Sequence, residues 1–164
     1  MDAITTSPAT AVPTLRPATA ADLPAVLALL EAHRLPGDGV REALPGFIVA
    51  EDGGALVGVI GLETYEGGFG LLRSAAVSDA WRSRGLGRTL VQHLIADATA
   101  KGFRAVYLLT TTAEGFFPKF GFTRTTRADV PVSVKGSVEF MSLCPDSATV
   151  MALRLDAPAT GVIS

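Results

Sequence analysis

A chain of 164 residues with 48% hydrophobic and 18% charged residues is long enough to bury one core and too apolar to be disordered throughout. Fourteen Lys and Arg against 16 Asp and Glu leave a formal charge of −2, and no basic run stands out, which argues against a nucleic-acid partner. A single cysteine, Cys144, excludes an internal disulfide framework, and with only His33 and His93 beside it no metal site is expected.

Residues 1–13 carry Ala, Thr and Pro with Asp2 and no Lys or Arg, and they read as a flexible tail rather than a targeting signal. No apolar run approaches the roughly 18 residues of a membrane span, so a soluble cytoplasmic protein is the expectation. Residues 15–18 read as a strand. The run from Thr19 to Asp22 resembles a capping box, and Leu23, Val26, Leu27 and Leu30 then share one helical face until Leu35-Pro36-Gly37 ends it. A short helix over 38–44 follows. Residues 47–51, the turn Asp52-Gly53-Gly54, and residues 55–64 read as a hairpin, and a second turn over 65–68 leads into a strand over 69–77. Beyond the loop that follows, the pattern predicts a helix over 87–101 capped by Gly102, a strand over 104–111, a helix over 113–120 stopped at Gly121, and strands over 123–128 and 148–155. Strand, turn, helix and strand in that order imply a local parallel pair with a right-handed crossover. The expected fold is α+β, a mixed, mostly antiparallel sheet of six to seven strands with helices on both faces. It forms one domain over 14–156, with tails at 1–13 and 157–164.

The loop between the strand at 69–77 and the long helix reads Val77-Ser78-Asp79-Ala80-Trp81-Arg82-Ser83-Arg84-Gly85-Leu86-Gly87-Arg88-Thr89-Leu90. Glycines without Cβ let N–H groups approach a ligand, the helix adds its positive end, and arginines flank the turn, so a pyrophosphate is the natural occupant. Two other phosphate loops fail. A dinucleotide fingerprint starts directly after the strand, whereas seven residues intervene here and Leu90 stands at the third glycine position. A P-loop needs a Gly-Lys pair, and the chain has none.

At these residues the chain resembles the GNAT acyl-CoA-dependent N-acetyltransferases, from about Leu15 to Leu155. The likeness rests on the turn above, on the strand after the long helix, and on Ala113-Glu114-Gly115-Phe116-Phe117-Pro118-Lys119-Phe120-Gly121-Phe122. Residues 133–150, with Glu139-Phe140-Met141-Ser142-Leu143-Cys144-Pro145, are similar to a bacterial subgroup associated with arsenic resistance, and the stretch around Phe116–Thr123 is similar to short amino-acid N-acetyltransferases. The resemblance implies acetyl-CoA as co-substrate, its pyrophosphate held by Arg82, Ser83, Arg84, Gly85, Leu86, Gly87, Arg88 and Thr89 and its pantetheine arm by the backbone of Ala75, Ala76 and Val77. It implies splayed parallel strands at the thioester, a small-molecule amine as acceptor, and an amino acid or glutamate analogue among the candidates. A monomer or homodimer is expected, with no membrane partner. A non-catalytic acyl-CoA-binding regulatory domain is the alternative, and N-terminal acetylation of peptides a third reading.

The chain departs from the family at two positions. Phe117 stands where many members carry a tyrosine that protonates the departing thiolate, and Leu71 where amino-acid-acetylating relatives often carry an acid, so no general acid is assigned. Glu63 is the substitute base, against the simpler reading of a solvated carboxylate. Arg73, in an otherwise apolar strand, either pairs with a carboxylate or binds that of a substrate. Ser142 and Ser137 are candidate substrate-loop hydroxyls. Cys144 is an arsenical contact or a small buried hydrophobe, and Glu114, Trp81, Phe116, His93 and His33 read as surface, core or capping residues.

Overall fold

The computed structural model describes residues 13–82, 84–111, 113–137 and 148–155. Among them β1 (Thr14–Pro17), β2 (Phe47–Asp52), β3 (Ala55–Tyr65), β4 (Phe69–Val77), β5 (Ala105–Thr110), β6 (Thr123–Thr125) and β7 (Thr149–Arg154) form one sheet in the order β1-β2-β3-β4-β5-β7-β6. β1 to β4 are antiparallel neighbours, β4 and β5 are parallel, and β7 returns antiparallel between β5 and β6.

The strand pattern dictates two covering layers. In β2, Phe47 and Val49 point to one side and Ile48 and Ala50 to the other, and all four are buried. One face is covered by α1 (Leu23–Ala32) and α2 (Val40–Ala43), which bring Leu23, Val26, Leu30 and Val40 against Phe47, Val49 and Val59. The other is covered by α3 (Leu86–Ala100), whose Leu86, Leu90, Val91, Leu94 and Ala98 recur at helical spacing and pack on Ile60, Leu72 and Leu108. Each buried leucine contributes about 2 kcal/mol. A Cβ at Gly58 would stand 3.1 Å from Leu90 and 3.2 Å from Leu86, so its absence lets the start of α3 lie close on the sheet. A third cluster, Leu71, Tyr107 and Val150 under Val134 of α4 (Val132–Lys135), closes the α1 side of the far strands.

The ends of the helices follow the expected chemistry with one exception. Thr19 and Asp22 form the capping box, and Arg16 forks onto Asp22 at 2.7 and 2.9 Å, which holds that carboxyl well below the usual range. At the end of α1 the N–H of Leu35 reaches Leu30 and that of Arg34 reaches Glu31, the double bond of a Schellman motif, but its left-handed position is filled by Arg34 at φ +59. The helix anticipated over 113–120 is a series of tight turns ending in a 3-10 segment, Phe117–Phe120. Pro118 supplies no N–H there, and Phe116 and Lys119 bond three residues back, not four. No helix among the described residues is long and apolar enough to cross a membrane.

Candidate active site

The ladder between β4 and β5 has three rungs, Phe69 to Ala105, Gly70 to Val106 and Leu71 to Tyr107. Beyond it the strands part. β4 stays with β3 and β5 with β7, and no described strand fills the gap between them. The parting coincides with a bulge in β4. Val59 faces Ala76 and Gly61 faces Arg73, so Ile60 opposes two residues, Ser74 and Ala75, and Ser74 takes φ +61. The extra residue reverses the side-chain alternation: Leu72 packs under α3, while Ala76, four residues on, packs with α1. A cavity of about 400 Å³ runs through the opening, lined by the bulge, by Leu108–Thr110 of β5, by Gly87 and Leu90 of α3, by Phe116 and Phe117, and by Arg34–Pro36 after α1.

At one end of this cleft lies the turn singled out in the sequence. Ser78–Trp81 forms a 3-10 bend, Gly85 at φ +81 is the N-cap of α3, and the Thr89 N–H and hydroxyl both reach the Gly85 carbonyl at 3.0 Å. The first N–H groups of a helix have no acceptor within it, and they add to the positive end of the dipole. Arg82, Arg84 and Arg88 surround it. Arg84 stacks 4.7 Å above the buried Trp81 ring, and Arg82 lies 3.5 Å from Asp79 and 3.3 Å from the His33 ring. A Cβ on Gly87 would enter the cleft between Phe116 and Val77, about 3.8–3.9 Å from each.

Behind the bulge runs a polar chain. Arg73 is wholly buried, and its Nη1 donates to Glu63 at 2.8 Å, its Nη2 to the Pro36 carbonyl at 3.2 Å, and its Nε to Ser74 Oγ at 2.9 Å. Tyr65 donates its hydroxyl to the other Glu63 oxygen. Burial first, then that carboxylate, push the Tyr65 phenol above its ordinary value. Glu63 and Tyr65 also line a second, more open hollow with Gly39 and Glu42.

The residues expected from the sequence fall into four groups. Arg84, Gly85, Leu86, Gly87, Arg88 and Thr89 gather at the start of α3, with Arg82 beside them, and Ala75, Ala76 and Val77 lie along the parted edge of β4. Glu63 and Arg73 meet as an ion pair. Ser83, Ser142 and Cys144 lie outside the described residues. Ser137 is buried near Tyr65, Phe117 is buried edge-on to Phe116 and Phe122, Glu114 pairs with Arg124 at the surface, and His93 is exposed on α3. Sequence reasoning missed Ser74, Tyr65 and Arg34. Ser74 had no signal, because nothing in Leu71–Val77 marks where the extra residue falls. Among the described residues no group of three or more His, Cys, Asp or Glu side chains could hold a metal ion.

Comparison with known proteins follows the same outline. The sequence model described as the acetyltransferase (GNAT) family matches residues 16–122. An uncharacterised N-acetyltransferase of Chlorobaculum tepidum is 27% identical over 127 residues, which cover 73% of this chain and 81% of that protein. An amino-acid acetyltransferase of Ralstonia nicotianae is 32% identical over 125 residues, and the match spans 71% of this chain but only 28% of the longer relative. Among solved structures, a Mycobacterium tuberculosis protein in complex with CoA and NLQ superposes with a TM-score of 0.73 at 27% identity, over 87% of this chain and 99% of that one.

Proposed function

The chain belongs to the acetyltransferase (GNAT) family and is an N-acetyltransferase, and from that premise we propose that it transfers acetyl from acetyl-CoA to the α-amine of a small amino acid or glutamate analogue. The observation that carries this reading is the parting of β4 and β5 next to the helix start at Gly85. One end of the cleft offers unpaired helix N–H groups and three arginines to a pyrophosphate. Its floor offers the strand edge Ala75–Val77 to an amide-bearing arm. The donor set fits acetyl-CoA: positive and N–H-rich where the phosphates belong, apolar where the acyl group would enter.

The amine must be neutral to attack the thioester. An α-amino group with a pKa near 8 is about one-tenth neutral at pH 7, and a thiolate of pKa near 8.5 leaves readily, so an acid–base pair adds modestly. Phe117 presents a ring and no hydroxyl to the cleft, which is consistent with such a reaction. Glu63 already accepts from Arg73 and Tyr65, so we assign it the placing of Arg73, not the removal of the substrate proton. The guanidinium of Arg73 is committed to Glu63, Ser74 and Pro36, and Arg34, exposed at the cleft rim, is the better placed cation for an acceptor carboxylate. An amino acid as acceptor draws support from that rim cation and from the name of the Ralstonia relative.

The test is amine-dependent release of free thiol from acetyl-CoA. The panel is glutamate, glutamine, phosphinothricin and its arsenic analogue, with polyamines and short peptides as controls. Release with an amino acid supports the reading. Acetyl-CoA binding without turnover of any amine would leave a regulatory acyl-CoA-binding domain in its place.

A further inference from the structure

Ser74 combines three properties that no motif announced: a left-handed φ of +61 inside a strand, a nearly buried side chain, and a place in the wall of the cleft where β4 leaves β5. We propose that the Ser74 hydroxyl donates a hydrogen bond to the thioester carbonyl oxygen of acetyl-CoA, stabilising the negative charge that grows there as the amine attacks. This rests on the acetyl transfer proposed above.

The hydroxyl has one proton to give and lone pairs to receive. Its oxygen accepts from Arg73 Nε at 2.9 Å, and among the described residues the hydroxyl proton meets no acceptor. A charged donor on the oxygen polarises the O–H bond and strengthens it as a donor. The chain behind it is anchored at each link, Tyr65 to Glu63, Glu63 to Arg73 and Arg73 to Pro36, so the oxygen is fixed before any ligand arrives. Such fixed donors act most where charge develops in a site that excludes water. Strain at φ +61 in a residue other than glycine persists where the surroundings hold it and collects at functional positions.

The step balances without proton loss from Ser74. The amine nitrogen forms a bond to the carbonyl carbon and the C=O pair moves onto oxygen, where the Ser74 O–H meets it. When the pair returns, the C–S bond breaks with its electrons on sulfur, and the proton shed by nitrogen ends on that sulfur. Serine is far too weak an acid to give its own proton to a thiolate, so it acts as donor throughout.

The test compares wild type with Ser74→Gly and Ser74→Ala. Glycine relieves the strained φ, alanine keeps it, and both remove the hydroxyl. Two readouts are taken: steady-state kinetics, and the infrared carbonyl stretch of bound [1-13C]acetyl-CoA, which needs binding but no turnover. The expected result for both variants is a fall in kcat on the order of 10²-fold, a KM for acetyl-CoA within about threefold of wild type, and a carbonyl stretch at higher frequency than in wild type. Wild-type kcat and stretch in Ser74→Gly would make Ser74 only a structural partner of Arg73 and overturn the proposal. If wild type binds acetyl-CoA but acetylates no amine, the acetyl-transfer reading fails while the stretch still decides whether Ser74 donates. Failure of wild type to bind acetyl-CoA would overturn both.

Discussion

Arg73 Nη1 lies 2.8 Å from Glu63 Oε2, with the arginine side chain fully buried and the glutamate side chain 13% exposed. A charge in that position is held by its partner, and removing one partner strands the other where water cannot solvate it. The pair joins β3 to β4 at the edge of the bulge, so it is both a structural tie and the support for the cleft wall.

Glu63→Gln should therefore lower stability by about 3 kcal/mol, since Arg73 keeps its charge and loses its counter-ion. Glu63→Leu combined with Arg73→Met should recover most of that loss, because an apolar pair of similar volume removes the buried charge altogether. Urea unfolding at an unchanged slope decides it; equal stability of Glu63→Gln and wild type would show that the pair does not hold the sheet.

The Tyr65 phenol gives a pH signature. Its value in the folded protein is raised above the ordinary 10.0, chiefly by burial and then by Glu63, so the neutral form is favoured on folding. That contribution is complete below pH 10 and is lost as pH rises from there toward the raised value, at up to about 1.4 kcal/mol per pH unit. The stability difference between wild type and Tyr65→Phe should narrow between about pH 9 and about pH 11. A constant difference across this range would argue against a perturbed phenol.

The turn separates backbone conformation from space. Gly85 has φ +81, and a Cβ there would have nothing within 4 Å, so Gly85→Ala should cost about 1 kcal/mol through conformation alone and weaken acetyl-CoA binding as the turn shifts. Gly87 has no such φ, and a larger side chain there would fill the cleft between Phe116 and Val77. Gly87→Leu should keep the thermal midpoint within a few degrees and abolish acetyl-CoA binding in calorimetry. Unchanged affinity would refute the placement of the phosphates.

Arg34 allows a test in which stability and function move in opposite directions. Arg34→Gly relieves the left-handed φ of +59 and should stabilise the fold by up to about 1 kcal/mol. If the guanidinium meets the acceptor carboxylate, the same change should raise KM for the amino acid about tenfold or more and leave KM for acetyl-CoA unchanged, the effect of losing a charge-assisted hydrogen bond. Equal rises in both KM values would point to a disturbed cleft instead.

The sequence by itself determined what depends on neighbours along the chain. A short apolar run in β2, helical spacing from Leu86 to Ile95, paired glycines at the hairpin, and a glycine turn before a long helix are local patterns, and the folded chain keeps all of them. One local expectation failed: the helix read over 113–120 is a series of tight turns, because Pro118 supplies no N–H. The tertiary structure alone decided how β4 meets its neighbours. The end of its ladder at Leu71 is set by a strand more than thirty residues away, while the residue that bulges and the partner that Arg73 takes from β3 depend on the register between two strands, and one extra residue in a strand exchanges faces without changing composition. For that reason the turn at Gly85 was legible from its residues, whereas the role of Ser74 emerged only once β4 was set against β3 and β5.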